Sequence, residues 1–176
     1  MPKSILFAIL TFCSFSVFAN PSLNTLFSAI NERLSYMEDV ALFKANNHKP
    51  IEDIEREKIV INKASESAKD SGLNQQSVIG FFTAQISAAK AIQYRYRADL
   101  LTEGSAREPR DLTDEIRPEL IRLGKTINTE VALFLREGGE FRSSDWQTFE
   151  STINQSYLTS KDKKKLFNAL TQIQLL

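Results

Sequence analysis

Residues 23–46 read LNTLFSAINERLSYMEDVALFKAN. Within this stretch Leu23, Leu26, Phe27, Ile30, Leu34, Met37 and Ala41 recur at steps of three and four. At about 100° per residue, those steps stack the side chains along one stripe of an α-helix. Pro21 suits a first turn, where its missing N–H is not needed, and Asn46-Asn47-His48-Lys49-Pro50 makes a break. The spacing predicts one long helix from about Pro21 to Asn46.

Working outward, the same periodicity continues. A second helix is expected over roughly Ile51 to Asp70, carrying Ile54, Ile59 and Ile61 and closing at Ser71-Gly72, where glycine can take the left-handed conformation. A third runs from about Asn74, a suitable N-cap, to Leu101, with Val78, Phe81, Phe82, Ile86 and Ala89 as its core side chains. Thr102 to Arg110 is a connector. A fourth helix lies between Asp111 and Glu137, its start left open because Pro118 is comfortable only in a first turn. Two short helices, near Ser144 to Ile153 and Ser160 to Leu175, finish the chain. The fold class is all-α, a bundle of about six helices with three long core helices and a C-terminal helical part.

Upstream, Lys3 precedes an apolar run from Ile5 to Phe18 that ends in Val17-Phe18-Ala19. Residues 1–19 have the form of a secretory signal peptide. The run is shorter than the roughly 18 to 20 apolar residues of a spanning helix, and Thr11, Ser14 and Ser16 interrupt it. Cys13 is the only cysteine and would leave with the signal, so a thiol-free domain of residues 20–176 must be held by its core. The chain has 22 basic and 22 acidic side chains, so no nucleic acid or membrane surface is expected as partner, and any cationic feature is local.

Arg33, Met37, Val40 and Lys44 share one face of the first helix, with the two cations about 16 Å apart along its axis. Alone, such cations would more often reach out to solvent along their aliphatic stems. The second helix places Asp53, Arg56, Glu57 and Val60 along one face; the helix dipole accounts for Glu52 and Asp53, and poorly for Arg56. On the third helix Phe82, Ile86, Ala89 and Gln93 line up, an amide at the end of an apolar stripe. By itself Gln93 reads as a boundary residue, and His48, the only histidine, as a solvated turn residue.

Taken together, Arg33, Lys44 eleven residues on, Pro50-Ile51-Glu52-Asp53-Ile54-Glu55-Arg56-Glu57 and then Gln93 resemble the helical chorismate mutase family. With the signal segment and the extra C-terminal helices, the chain is similar to the exported, single-chain gamma class. The resemblance covers about Leu23 to Tyr96 closely and the rest in architecture. It implies that Arg33 and Arg56 bind the carboxylates of chorismate, and that Lys44 reaches a carboxylate and the ether oxygen. It further implies that Gln93 donates to that oxygen and that Glu57, with Asp53, meets the ring hydroxyl. Arg117 matches the arginine that the exported class supplies from a later helix of the same chain.

Two departures from the family pattern stand out. Ala89 occupies a position often held by serine or threonine near the carboxylate, and the C-terminal cysteine pair of some members is absent. The implied reaction, chorismate to prephenate, is pericyclic and needs neither nucleophile nor proton transfer. The enzyme supplies a compact conformer and stabilises charge growing on the ether oxygen, with Lys44, Arg56 and Gln93 as the catalytic groups. No cofactor and no metal is expected, a periplasmic or secreted location is, and a homodimer is left open. Activity is expected to be nearly flat between about pH 5 and 8. Two other readings are an isochorismate pyruvate lyase of the same fold, which would release pyruvate, and a non-catalytic exported helical module, which would turn over nothing.

Overall fold

The computed structural model describes residues 21–176, so the signal segment and Cys13 lie outside the described residues. The predicted first helix is two: α1 (Pro21–Ser35) and α2 (Met37–Asn46) meet at Tyr36. Tyr36 keeps helical backbone angles, but the Ser35 hydroxyl donates to the Glu32 carbonyl at 2.8 Å, the acceptor that an uninterrupted helix would offer to the Tyr36 N–H. Such local competition bends helices. Periodicity of apolar positions is blind to it.

The second predicted helix starts three residues late, as α3 (Ile54–Asp70), because Asp53 caps it by accepting from the Arg56 N–H at 3.0 Å. Gly72 closes the turn after it with φ +78°, and a Cβ there would also collide with the Arg136 guanidinium. Asn74 caps α4 (Gln75–Glu103) by accepting from the N–H groups of Gln76 and Ser77. At 29 residues, α4 is about 43 Å long and forms the spine against which α2, α3 and α7 pack.

After the connector, Asp111 caps a single π-type turn, Leu112–Ile116, whose signature is the Ile116 N–H donating to the Asp111 carbonyl at 2.9 Å. The turn delivers Pro118 into the first turn of α5 (Arg117–Arg136), where it needs no N–H partner, and this settles where the fourth helix begins. α5 packs along α1. A 3-10 turn, Ser143–Asp145, leads into α6 (Trp146–Thr152), and α7 (Ser160–Leu170) stops five residues short of the expected Leu175. The last residues turn back instead. The Asn74 N–H donates to the Gln174 carbonyl and the Leu176 N–H to the Gly72 carbonyl, which ties the C-terminus to the α3–α4 turn.

The core follows the predicted stripe: Leu26, Phe27, Ile30, Leu34, Met37 and Ala41 are buried, as are Val78, Phe81, Phe82 and Ala89. Phe149 of α6 meets Phe27 edge-on at 5.1 Å, so the C-terminal helices close the end of the bundle with aromatic contacts. α3 differs from expectation. Its Ile54 and Ile59 are 53% and 44% exposed, and the helix buries only Ser65 and Ala68. It stands off from the core and forms a wall. No helix among the described residues is long and apolar enough to cross a membrane.

Candidate functional site

The space behind α3 is a cavity of about 730 Å³, bounded by α1 and α2 on one side, α3 opposite, α4 at its back and the start of α5. Every residue singled out from the sequence, Arg33, Lys44, Asp53, Arg56, Glu57, Ala89, Gln93 and Arg117, lines it. They come from five elements that are distant in the chain. The packing of α2 and α3 against α4 brings them together.

Arg33 is 6% exposed, with its Nε donating to the Leu120 carbonyl at 3.3 Å and its guanidinium carbon 5.8 Å from the Phe82 ring centre. Burial lowers its pKa to about 10. Lys44 donates to the Ile51 carbonyl at 2.6 Å and to Gln93 Oε1 at 3.1 Å. Burial pushes the Lys44 ammonium down from its ordinary value; Asp53 and Glu57 pull it back in part, and Arg117 and Arg97 push it further down. Arg117 is thus close enough for its charge to be felt at Lys44. None of Arg33, Lys44, Arg56 and Arg117 forms a salt bridge among the described residues.

Gln93 is 5% exposed, and its orientation follows from Lys44, which can only donate. The Gln93 oxygen therefore faces the ammonium, and its amide group donates to the Ala89 carbonyl at 3.3 Å and approaches Met37 Sδ at 3.6 Å. Both amide protons thus have acceptors within the protein. Ala89 supplies that backbone carbonyl to Gln93. Asp53 has a dual position, at the cavity edge and as the cap of α3.

Two arrangements were not foreseen from sequence. Lys90, one turn before Gln93 on α4, lies in the cavity wall and pairs with Glu57 at 3.1 Å and with Glu52 at 3.5 Å. Asp39 on α2, 2% exposed, accepts from both Arg107 and Arg110 of the connector, and Arg110 also covers the Tyr36 ring at 4.3 Å. This clamp holds the connector that leads to Arg117. Asp39 lies about 200° round the helix from Met37, off the apolar stripe read from the sequence, so nothing local marked it or its partners.

A helical bundle whose cavity gathers Arg33, Lys44, Arg56 and Arg117, none of them in a salt bridge among the described residues, beside a buried amide has the features of a receptor for a small, multiply charged anion. Residues 24–94 match the family model for chorismate mutase type II. The chain is 44% identical over 147 residues to a secreted chorismate mutase of Yersinia pestis, covering 83% of this chain and 78% of that protein. It is 39% identical over 176 residues to a monofunctional chorismate mutase of Enterobacter agglomerans, covering 97% and 96%. The crystal structure of a secreted chorismate mutase from Yersinia pestis superposes with a TM-score of 0.81 at 42% identity, over 86% of this chain and 98% of that one. The chain belongs to the type II chorismate mutase family.

Proposed function

We propose that the chain is an exported chorismate mutase that rearranges chorismate to prephenate inside this cavity, the working unit being a single chain. The observation that carries the reading is that Arg33, Lys44, Arg56 and Arg117, all without salt bridges, line one cavity beside Gln93. Cations without a carboxylate in direct contact, in a partly buried site, are incompletely compensated until an anion arrives. A dicarboxylate supplies the missing charge.

In this reading Arg33 and Arg56 take the two carboxylates and hold the folded conformer in which the new C–C bond can form. Lys44 has three N–H donors and uses two on the Ile51 carbonyl and Gln93. The third serves the ether oxygen as its C–O bond breaks. Gln93 joins it by exchanging its weak contact with Met37 sulfur for the same oxygen, and needs no protonation to donate. Glu57 accepts from the ring hydroxyl, with Asp53 nearby, and Arg117 adds positive potential from the start of α5.

Export rests on the signal-like residues 1–19, and the Yersinia pestis relative is described as secreted. Once that segment is removed the protein works free of the membrane. Since one chain lines the cavity, turnover per chain should not change on dilution, whether or not two copies pair. The deciding experiment is conversion of chorismate by the purified domain of residues 20–176. Prephenate as product supports the reading; free pyruvate or an untouched substrate overturns it.

A further inference from the structure

Lys90 is a cation of the cavity wall that the reaction as described does not use. Its ammonium lies 3.1 Å from Glu57 Oε2 and 3.5 Å from Glu52 Oε1, so it joins the middle of α4 to the first turn of α3 across the cavity edge. The side chains of Lys90 and Glu57 are 23% and 22% exposed, which keeps the pair largely shielded. Glu57 is a carboxylate in a pocket otherwise suited to a dianion. Left unbalanced, its charge would repel that ligand. Free to rotate, it would also lose its aim.

We propose that Lys90 is a positioning residue, which balances the charge of Glu57 and holds its carboxylate turned toward the ring hydroxyl of the substrate. The inference rests on the chorismate reading above. Lys90 takes one oxygen of Glu57, Oε2, and leaves the other as acceptor for the hydroxyl. Burial works to lower the Lys90 pKa, but hydrogen bonding and attraction to Glu57 and Glu52 outweigh it and raise the value, as suits an ammonium held by these acids.

The test is a double-mutant cycle on chorismate turnover with Lys90→Met, Glu57→Gln and the two combined, and Lys90→Arg as the conservative variant. Lys90→Met leaves Glu57 charged and unpaired, and kcat/KM should fall about tenfold, mostly through KM. Adding Glu57→Gln removes the unbalanced charge, so the double variant should recover part of that loss. Lys90→Arg should stay within about threefold of wild type. A general structural role would not make a second substitution beneficial. If Lys90→Met cost as much in the Glu57→Gln variant as in wild type, Lys90 would act on the substrate directly, and the inference alone would be overturned. Failure of the wild-type protein to convert chorismate would overturn the functional reading and this inference with it.

Discussion

The ammonium of Lys44 lies 3.1 Å from Oε1 of Gln93, forty-nine positions away in the chain, and the contact sets which end of the amide faces the cavity floor. A lysine cannot accept, so the amide oxygen is committed to it and the NH2 group is left to face Ala89 and Met37. The two groups nearest the proposed reacting oxygen thus form one unit.

Removing the ammonium should therefore damage catalysis more than folding. Lys44→Ala is expected to lower kcat by about 10²- to 10³-fold, the usual effect of losing one donor to a developing oxyanion. Its circular dichroism and melting curve should stay close to wild type. Turnover equal to wild type would show that Lys44 has no part in the chemistry.

The pH profile follows from the same residue. The active form of Lys44 is charged, and burial lowers its pKa, so kcat/KM should fall as pH rises through that value, earlier than an ordinary lysine would allow. Between about pH 5 and 8 the profile should be nearly flat, since no step transfers a proton. A steep slope within that range would point to a titrating carboxylate in control.

Arg33 sets function against stability. Its folded pKa of about 10 lies below the ordinary guanidinium value. The unfolded chain therefore binds more protons between those two values, and stability rises with pH there; below about 10 the buried charge is a standing penalty. That penalty is on the order of 3 kcal/mol. Arg33→Met also gives up the bond to the Leu120 carbonyl, worth about 1 kcal/mol, so a net gain of about 1 to 2 kcal/mol is expected in urea unfolding. Chorismate affinity should fall at the same time. A variant both less stable and fully active would contradict the assignment.

The clamp at Asp39 predicts an asymmetry. Asp39 is 2% exposed, whereas Arg107 and Arg110 are 48% and 45% exposed and can turn to water. Arg107→Met with Arg110→Met leaves a buried carboxylate without a counter-charge and should cost about 3 to 5 kcal/mol. Asp39→Asn leaves no buried charge and should cost less, about 1 to 2 kcal/mol. Equal losses in chemical denaturation would mean the connector is held by other contacts.

Much of this architecture was legible because helix burial has a period. The stripe from Leu26 to Ala41, the caps at Asn74 and Gly72 and the break before Pro50 are local consequences of side-chain geometry and backbone freedom. The break at Tyr36 escaped because a single hydroxyl, Ser35, competes for one carbonyl without disturbing the apolar spacing. The exposure of Ile59 escaped because α3 walls a cavity and leaves part of its apolar surface without packing partners.

The sequence by itself determined the all-helical class and marked Arg33, Lys44 and Arg56 as cations on helical faces, while family resemblance added Asp53, Glu57, Ala89, Gln93 and Arg117 as candidates. Only the tertiary structure decided that these residues face one another, that Lys90 pairs with Glu57 and that Asp39 holds Arg107 and Arg110. The reason is distance along the chain. Periodicity reports which face of one helix turns inward, whereas pairings across 33 or 68 positions depend on how helices cross and slide, which no local spacing records.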